Sequence, residues 1–198
     1  MSVIVAIKHE GKVYIGADSQ CTKGGTRRTL SNPNNYKIWQ VQGAANCIMG
    51  HVGVVRDANI IRVAEDLIPE IYQLKDQVDF KLMVRRVVPF IQQELEEYKA
   101  IDKSSRLHMD SSFILAYKDK LFTISSNGTV IEVDDYCAIG SGESEALGSL
   151  LSTESLNPMD RIKTAIKASA ANDIYVDYPI VIGDTSTDTF KVFYEKDL

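Results

Sequence analysis

Apolar positions in the first quarter of the chain occur in short runs separated by polar breaks, a pattern that predicts β-strands. The tripeptide His9-Glu10-Gly11 separates the first two runs and is typical of a hairpin turn. A segment rich in Gly, Ser and Asn at 24–35 predicts a loop before the last two runs. The four predicted strands are 2–8, 12–17, 37–41 and 46–49.

From Val54 the apolar positions recur every three or four residues, which predicts amphipathic helices. One helix is expected over 54–74 and a second over 80–98, each with an apolar stripe along one face. Pro69 and Pro89 lie inside these patterns. Because proline lacks a backbone N–H, we expect each of them to kink or interrupt its helix.

The second half of the chain repeats this order of strands followed by helices. After a polar connection at 103–110, four strands are predicted: 112–117, 121–125, 129–133 and 136–139. A helix then begins near Glu143, and another begins at Asn157-Pro158, which suits an N-cap and first helical position, and ends near Asn172. Two last strands are expected: 180–182 and 189–194.

The blocks of strands and the pairs of helices predict the fold class. Strands joined by tight turns indicate antiparallel sheets, and consecutive helices indicate layers that cover those sheets. Two sheets stacked face to face, with a helix pair on each outer face, would bury every apolar stripe. The pattern therefore predicts an α+β fold, a four-layer αββα sandwich, formed by a single domain over residues 1–198.

Composition and charge narrow the class of protein. The chain has 198 residues and a net charge of −5, so it lacks the basic surface expected of a nucleic-acid-binding protein. Its 3 cysteines have no metal-ligand spacing and fit a reducing compartment better than a disulfide framework. No apolar run is long enough for a membrane span, and the first residues lack the features of a signal peptide. We expect a soluble cytoplasmic protein without a metal or cofactor.

A serine directly after the initiator methionine is the first candidate for chemistry. If Met1 is removed, Ser2 presents a hydroxyl nucleophile together with a free α-amine. That amine has a pKa of about 8 and can act as a base near neutral pH. The sequence has no Gly-x-Ser-x-Gly segment that would indicate another serine nucleophile. Taken alone, Asp18 is a typical turn residue and Lys37 a typical solvated charge.

Several short segments in a fixed order carry a more specific signal. The segment GADS ends at Ser19, KI begins at Lys37, and MGHVGVVRDA spans 49–58. The segment GSGESEALGSLL begins at Gly140, and ASAAND ends at Asp173. With Ser2 at the head of the first strand, the chain resembles the proteasome β-subunit and HslV family of N-terminal-nucleophile hydrolases over nearly its whole length.

The resemblance implies a set of catalytic residues and their roles. Ser2 would be the nucleophile and its α-amine the base. Lys37, held by Asp18, would place a cation beside Ser2 and lower the pKa values of its amine and hydroxyl. Ser141 and Asp173 would orient the amine and relay protons through water.

The resemblance also implies a substrate groove and partners. Backbone N–H groups at Gly50 and His51 would bind the oxyanion, and Thr22 would flank the groove in which an extended peptide pairs as an added strand. The substrate would be a peptide or an unfolded protein. The chain would assemble into a homo-oligomeric ring, and an ATP-dependent unfoldase is a candidate partner.

Two other functions stay open because the chain departs from the family at three positions. Ser2 replaces the commoner Thr, His51 stands where proteasomes usually have Gly, and Val176 stands where they have a hydroxyl residue. The alternatives are a non-catalytic structural subunit of a proteasome-like assembly and an amidohydrolase that acts on a small amide. Intact mass separates a peptidase from a structural subunit, because the proposed chemistry requires the loss of Met1.

Overall fold

Two antiparallel sheets lie face to face at the centre of the computed structural model, which describes residues 2–98 and 109–197. The strands are β1 (Val3–His9), β2 (Lys12–Ala17), β3 (Gln20–Lys23), β4 (Thr26–Thr29), β5 (Ile38–Gln40), β6 (Cys47–Val52), β7 (Ser112–Tyr117), β8 (Lys120–Ile124), β9 (Val130–Glu132), β10 (Tyr136–Gly140), β11 (Ile180–Asp184) and β12 (Lys191–Phe193). The first sheet has the order β10-β1-β2-β11-β12 and the second β5-β6-β7-β8-β9, while β3 and β4 form a separate hairpin.

Strand β1 is an interior strand of the first sheet and is buried on both of its faces. It pairs with β10 on one side and with β2 on the other. Ile4 and Ala6 point into the core between the two sheets, whereas Val3 and Val5 point toward the helices on the outer face. This double burial explains why the strand is a continuous apolar run instead of an alternating one.

The helices cover the outer faces of the two sheets. They are α1 (Val55–Val63), α2 (Glu70–Leu74), α3 (Phe80–Leu82), α4 (Val88–Glu97), α5 (Glu143–Ser152) and α6 (Pro158–Asn172). Leu150 of α5 and Ile166 of α6 are fully buried against the first sheet. Ile61 of α1 and Ile91 of α4 are buried against the second sheet. The predicted four-layer α+β sandwich is therefore confirmed.

The helix predicted over 54–74 is interrupted, as expected from Pro69, but the break begins earlier and separates two segments. Helix α1 ends at Val63, since Ala64 is extended (φ −66°, ψ 131°) and Asp66 has a positive φ of 65°. Pro69 then lies immediately before α2, where a missing N–H breaks no helical hydrogen bond. The apolar positions of this region consequently cover the sheet with two short helices.

The helix predicted over 80–98 continues past Pro89 without a break. A π-helical turn at Met83–Val87 joins α3 to α4, and Pro89 lies in the first turn of α4. A π-helical turn shifts the ladder of backbone hydrogen bonds, and such a shift accommodates a residue that has no N–H to donate. Proline therefore changes the local winding here and does not end the helix.

The polar segment predicted as a loop at 24–35 contains a strand. β4 pairs with β3 in a register that places Arg27 opposite Thr22. All residues of β4 are exposed, so no apolar position marks it as a strand in the sequence.

Two of the sequence expectations fall partly or wholly outside the described residues. The polar connection at 103–110 lies mostly outside the described residues, and Met1 lies wholly outside them. In the part of the chain that the structure describes, no helix is long and apolar enough to span a membrane.

Candidate active site

Ser2 directly precedes β1, an interior strand of the first sheet, and is held through its backbone. Its N–H donates to Oγ of Ser141 (3.1 Å), and its carbonyl accepts from the N–H of Gly142 and from Ser141 Oγ (both 3.4 Å). Gly140 has a φ of +110°, and a Cβ there would lie 2.1 Å from the carbonyl oxygen of Ser2. Glycine is therefore required where this segment passes the start of the chain.

Asp18 lies beside the start of the chain because of the register between β1 and β2. That register pairs Ile4 with Ala17, the last residue of β2, so the residue that follows β2 reaches the first residues of β1. The Oδ1 of Asp18 accepts the N–H of Val3 (2.9 Å), and the side chain is fully buried. The carboxylate is therefore fixed next to the residue that follows Ser2.

Lys37 forms a buried ion pair with Asp18. Its Nζ lies 2.7 Å from each carboxylate oxygen, and only 7% of its side chain is exposed. Burial lowers the pKa of Lys37, while the negative charges of Asp18 and Asp173 act in the opposite direction. Lys37 and Ser2 line the same cleft. A lysine in this position favours the neutral form of a nearby amine and the ionised form of a nearby hydroxyl.

Asp173 ends α6 and has one carboxylate oxygen with unused hydrogen-bonding capacity. Its Oδ1 accepts the N–H of Tyr175 (2.9 Å). Its Oδ2 is buried and has no hydrogen-bond partner among the described residues. A buried carboxylate oxygen of this kind requires a donor. One turn earlier, Ser169 Oγ donates to the carbonyl of Gly142 (2.8 Å), which joins this end of α6 to the Gly-Ser-Gly segment.

A cleft of about 310 Å³ opens in front of Ser2. Lys37 and Thr22 line it, together with Gly53 in the turn between β6 and α1. Thr22 is the third residue of β3, and its Oγ1 accepts a hydrogen bond from Nε2 of Gln20 (2.9 Å). The structure thus brings the candidate nucleophile, the candidate cation and Thr22 to one cavity.

The predicted oxyanion donors at Gly50 and His51 require a correction. Both residues lie within β6, and the N–H of His51 donates to the carbonyl of Lys37 (2.9 Å). A Cβ at Gly50 would point at Ile4, into the core between the sheets. These amides therefore belong to the sheet, and the backbone that reaches the cleft lies further along the chain, at Gly53.

The side chain of His51 lines the cleft and belongs to a buried polar network. Its Nε2 lies 3.0 Å from Oγ of Ser111. That hydroxyl donates to Oδ2 of Asp57 (2.6 Å) and accepts the N–H of Val54 (3.1 Å). Because the hydroxyl proton of Ser111 goes to Asp57, we assign the proton of the imidazole to Nε2.

Burial determines the charge states of this network. Burial, together with the positive charge of Lys37, lowers the pKa of His51 to about 3. Burial also raises the pKa of Asp57. The imidazole is consequently neutral at pH 7 and acts as a fixed polar wall of the cleft.

No sequence pattern predicts this network or Arg62, which also lines the cleft. Asp57 and Arg62 lie on α1, where charged residues usually face solvent. Ser111 is 54 residues away from Asp57, a separation for which no spacing rule exists. Within residues 2–98 and 109–197, no group of three or more His, Cys, Asp or Glu side chains could hold a metal ion.

Solved structures identify the fold. The structure of Thiobacillus denitrificans BPH in complex with epoxomicin matches with a TM-score of 0.68 at 20% identity, and the match covers 92% of this chain and 97% of that one. The crystal structure of eukaryotic HslV from Trypanosoma brucei matches with a TM-score of 0.64 at 22% identity, covering 92% and 98%. These two structures therefore share the four-layer sandwich of this chain.

Comparisons of the sequence show the family to which the chain belongs. The model of the family described as proteasome subunit matches residues 2–173, and the chain belongs to this family. The ATP-dependent protease subunit HslV of Caldicellulosiruptor saccharolyticus is 28% identical over 185 residues, which are 91% of this chain and 96% of the relative. The protein of the same name from Petrotoga mobilis is 29% identical over 178 residues, 88% of this chain and 91% of the relative.

Proposed function

We propose that this chain is a peptidase subunit that hydrolyses peptide bonds with Ser2 as its nucleophile after removal of Met1. Membership of the proteasome family and the name of both relatives, ATP-dependent protease subunit, support a peptidase. The observation that carries the proposal is the buried ion pair of Lys37 and Asp18, which presents a lysine to the cleft beside Ser2.

Removal of Met1 converts the nitrogen of Ser2 from an amide into an α-amine. An unperturbed α-amine has a pKa of about 8, and the cation of Lys37 holds that pKa lower, so the amine is neutral near pH 7. The amine accepts the hydroxyl proton as Oγ of Ser2 attacks the substrate carbonyl. Ser141 Oγ, 3.1 Å from this nitrogen, orients the amine. The unpartnered Oδ2 of Asp173 accepts a hydrogen bond, through water, from the α-ammonium that forms, and so holds the proton at Ser2 until the leaving group takes it.

The attack forms a tetrahedral oxyanion, which requires backbone N–H donors. We assign this role to the turn at Gly53, which lines the cleft and has a φ of +127°. One such donor contributes about 3 kcal/mol to the stabilisation of the transition state. Collapse of the intermediate breaks the C–N bond, and the leaving amine takes the proton from the α-ammonium of Ser2. Water then hydrolyses the ester on Ser2, with the α-amine again acting as the base.

We also propose that the subunits, each a single domain over residues 1–198, assemble into a homo-oligomeric ring in the cytoplasm. Several large apolar side chains are exposed, including Leu74 and Ile174 (each 78%) and Val63 (68%). Contact with a neighbouring subunit would remove apolar side chains such as these from water. The ATP dependence in the names of the relatives supports an ATP-dependent unfoldase as partner, with a peptide or an unfolded protein as substrate.

Hydrolysis of a fluorogenic peptide amide by Met1-free protein, verified by intact mass, tests the proposal. We expect cleavage by the Met1-free protein and none by the same chain that retains Met1, because an amide nitrogen is not a base. Ser2→Ala should abolish cleavage. Ser2→Thr should retain it, because threonine keeps the hydroxyl nucleophile.

Three outcomes would contradict the proposal. A Met1-free protein that assembles but cleaves neither peptides nor small amides would be a structural subunit. Cleavage of small amides without cleavage of peptides would indicate an amidohydrolase. Unchanged cleavage by Ser2→Ala would show that another residue is the nucleophile.

A further inference from the structure

The cleft in front of Ser2 has the opposite charge to the protein as a whole. The chain carries a net charge of −5. Among the described residues that line the cleft, none is Asp or Glu, whereas Lys37 and Arg62 are both cations. A cavity with an excess of one charge attracts a ligand group of the other charge.

Arg62 accounts for the uncompensated charge in this cavity. The ammonium of Lys37 is 2.7 Å from both oxygens of Asp18, so its charge is paired with that carboxylate. Arg62 is half-buried in the last turn of α1, and burial lowers its pKa to about 10 with no contribution from a carboxylate. At pH 7 the guanidinium is still protonated, so Arg62 brings to the lining of the cleft a charge that has no counter-ion among the described residues.

The neighbouring chain holds this guanidinium in a fixed place. It donates to the backbone carbonyls of Pro33 (3.2 Å), Asn34 and Tyr36, and it lies over the ring of Trp39 at 4.8 Å from the centroid. These partners orient the group, but carbonyls and an aromatic ring leave its net charge in place. Because the guanidinium is already partly desolvated and oriented, binding an anion to it costs little further free energy of desolvation and ordering.

Amide side chains complete the polar wall beside Arg62. Asn59 lies one turn earlier on α1, and Asn35 lies in the segment that the guanidinium contacts. Each amide offers N–H donors in addition to an acceptor, whereas a carboxylate only accepts hydrogen bonds. The neutral imidazole of His51 adds no opposing negative charge. This part of the cleft is therefore suited to a carboxylate.

We propose that the cleft selects substrates with an acidic side chain on the residue whose carbonyl Ser2 attacks, and that Arg62 determines this specificity. The proposal rests on the proposed peptidase function. That side chain is attached to the carbon next to the attacked carbonyl, so it is the substrate side chain nearest to Ser2. Ser2 and Arg62 line the same cavity, and the acidic side chain and the guanidinium are expected to form an ion pair there.

Two fluorogenic peptide amides that differ only by Glu or Gln at the residue before the cleaved bond test this proposal. Glu and Gln have nearly the same shape, so their comparison isolates the charge. We expect kcat/KM of the Met1-free protein to be about tenfold higher for the Glu peptide, the effect of one partly screened ion pair. Raising the ionic strength should reduce this ratio, because salt screens exposed charges.

The variants assign the effect to Arg62. Arg62→Gln should bring the Glu to Gln ratio to about one, while Arg62→Lys should keep a ratio above one because the charge is retained. Arg56→Gln is the matched control, since Arg56 lies on the same helix, is exposed, and does not line the cleft. It should leave the ratio unchanged.

The possible failures are distinguishable. A ratio at or below one in the wild type, with both peptides cleaved, contradicts this inference and leaves the peptidase proposal standing. A ratio that persists in Arg62→Gln contradicts the role of Arg62. If Arg62→Gln does not fold, a salt-independent ratio in the wild type contradicts the ion pair. If neither peptide is cleaved, the peptidase proposal fails and the inference fails with it.

Discussion

Acidification should destabilise the folded protein through the buried His51. The folded-state pKa of His51 is about 3, below the ordinary value of 6.5, because burial and the charge of Lys37 disfavour the imidazolium. Below pH 6.5 the unfolded chain therefore takes up a proton that the folded protein excludes. The contribution of His51 to stability is complete above pH 6.5 and is lost progressively as the pH falls toward 3.

The size of this effect follows from the two pKa values. At pH 5, protonation of His51 in the unfolded chain lowers the free energy of unfolding by RT ln(1 + 10^1.5). The exponent is the difference between the ordinary pKa of 6.5 and pH 5, and the result is about 2 kcal/mol. Asp57 contributes with the opposite sign, because its pKa is raised and its protonation favours the folded state at low pH. A variant that lacks only the imidazole separates the two contributions.

His51→Gln is that variant, because glutamine can still donate to Ser111 Oγ but does not titrate. Denaturant unfolding at a single protein concentration, at pH 7.5 and at pH 5, gives the free energies. The wild type should lose about 2 kcal/mol more than His51→Gln between these pH values. His9→Gln, in which the replaced side chain is 46% exposed, is the control and should follow the wild type. A difference below about 0.5 kcal/mol would refute the assignment of a neutral buried imidazole.

Two further predictions concern residues that pack around the start of the chain. Lys37→Ala should lower peptide hydrolysis by at least about a hundredfold and should destabilise the fold by about 3 kcal/mol, because it leaves the Asp18 carboxylate buried without its partner. Lys37→Arg should restore stability more than activity, as measured by thermal unfolding and peptide turnover. Gly140→Ala should destabilise the protein by at least about 2 kcal/mol, since its Cβ would collide with the carbonyl of Ser2. Gly148→Ala in α5, where a Cβ meets no atom within 4 Å, should be neutral or stabilising.

Local patterns were sufficient to predict those parts of the fold that depend on burial and on short turns. The first hairpin is an example: its tight turn determines the register between β1 and β2, and that register brings Asp18 to the start of the chain. β4 could not be predicted in this way, because all of its side chains are exposed. The break between α1 and α2 depends on the backbone of Ala64 and Asp66, neither of which is a strong helix breaker in the sequence.

The candidate site was predictable where residue types occur in a fixed order, and it was not predictable where distant segments meet. The segments around Ser2, Lys37 and Ser141 could be recognised one by one. The network of His51, Ser111 and Asp57 could not, because its members are brought together only by the packing of β6, α1 and the start of β7. The oxyanion donors were predicted at residues too near the start of the chain for a related reason. Strand β6 extends to Val52, two residues beyond the turn expected at Gly50.

The position of Ser2 accounts for how the proposed nucleophile would be held in a fixed geometry. Terminal residues usually fray, and a frayed nucleophile could not hold a fixed geometry. Here Ser2 directly precedes β1, an interior strand that is paired on both sides, by β10 and by β2. Its backbone is further fixed by Ser141 and by Asp18 through Val3. Because these contacts involve Ser141, Asp18 and the backbone from Ser2 onward, they do not depend on Met1, so its removal would expose an α-amine in a position already held by the fold.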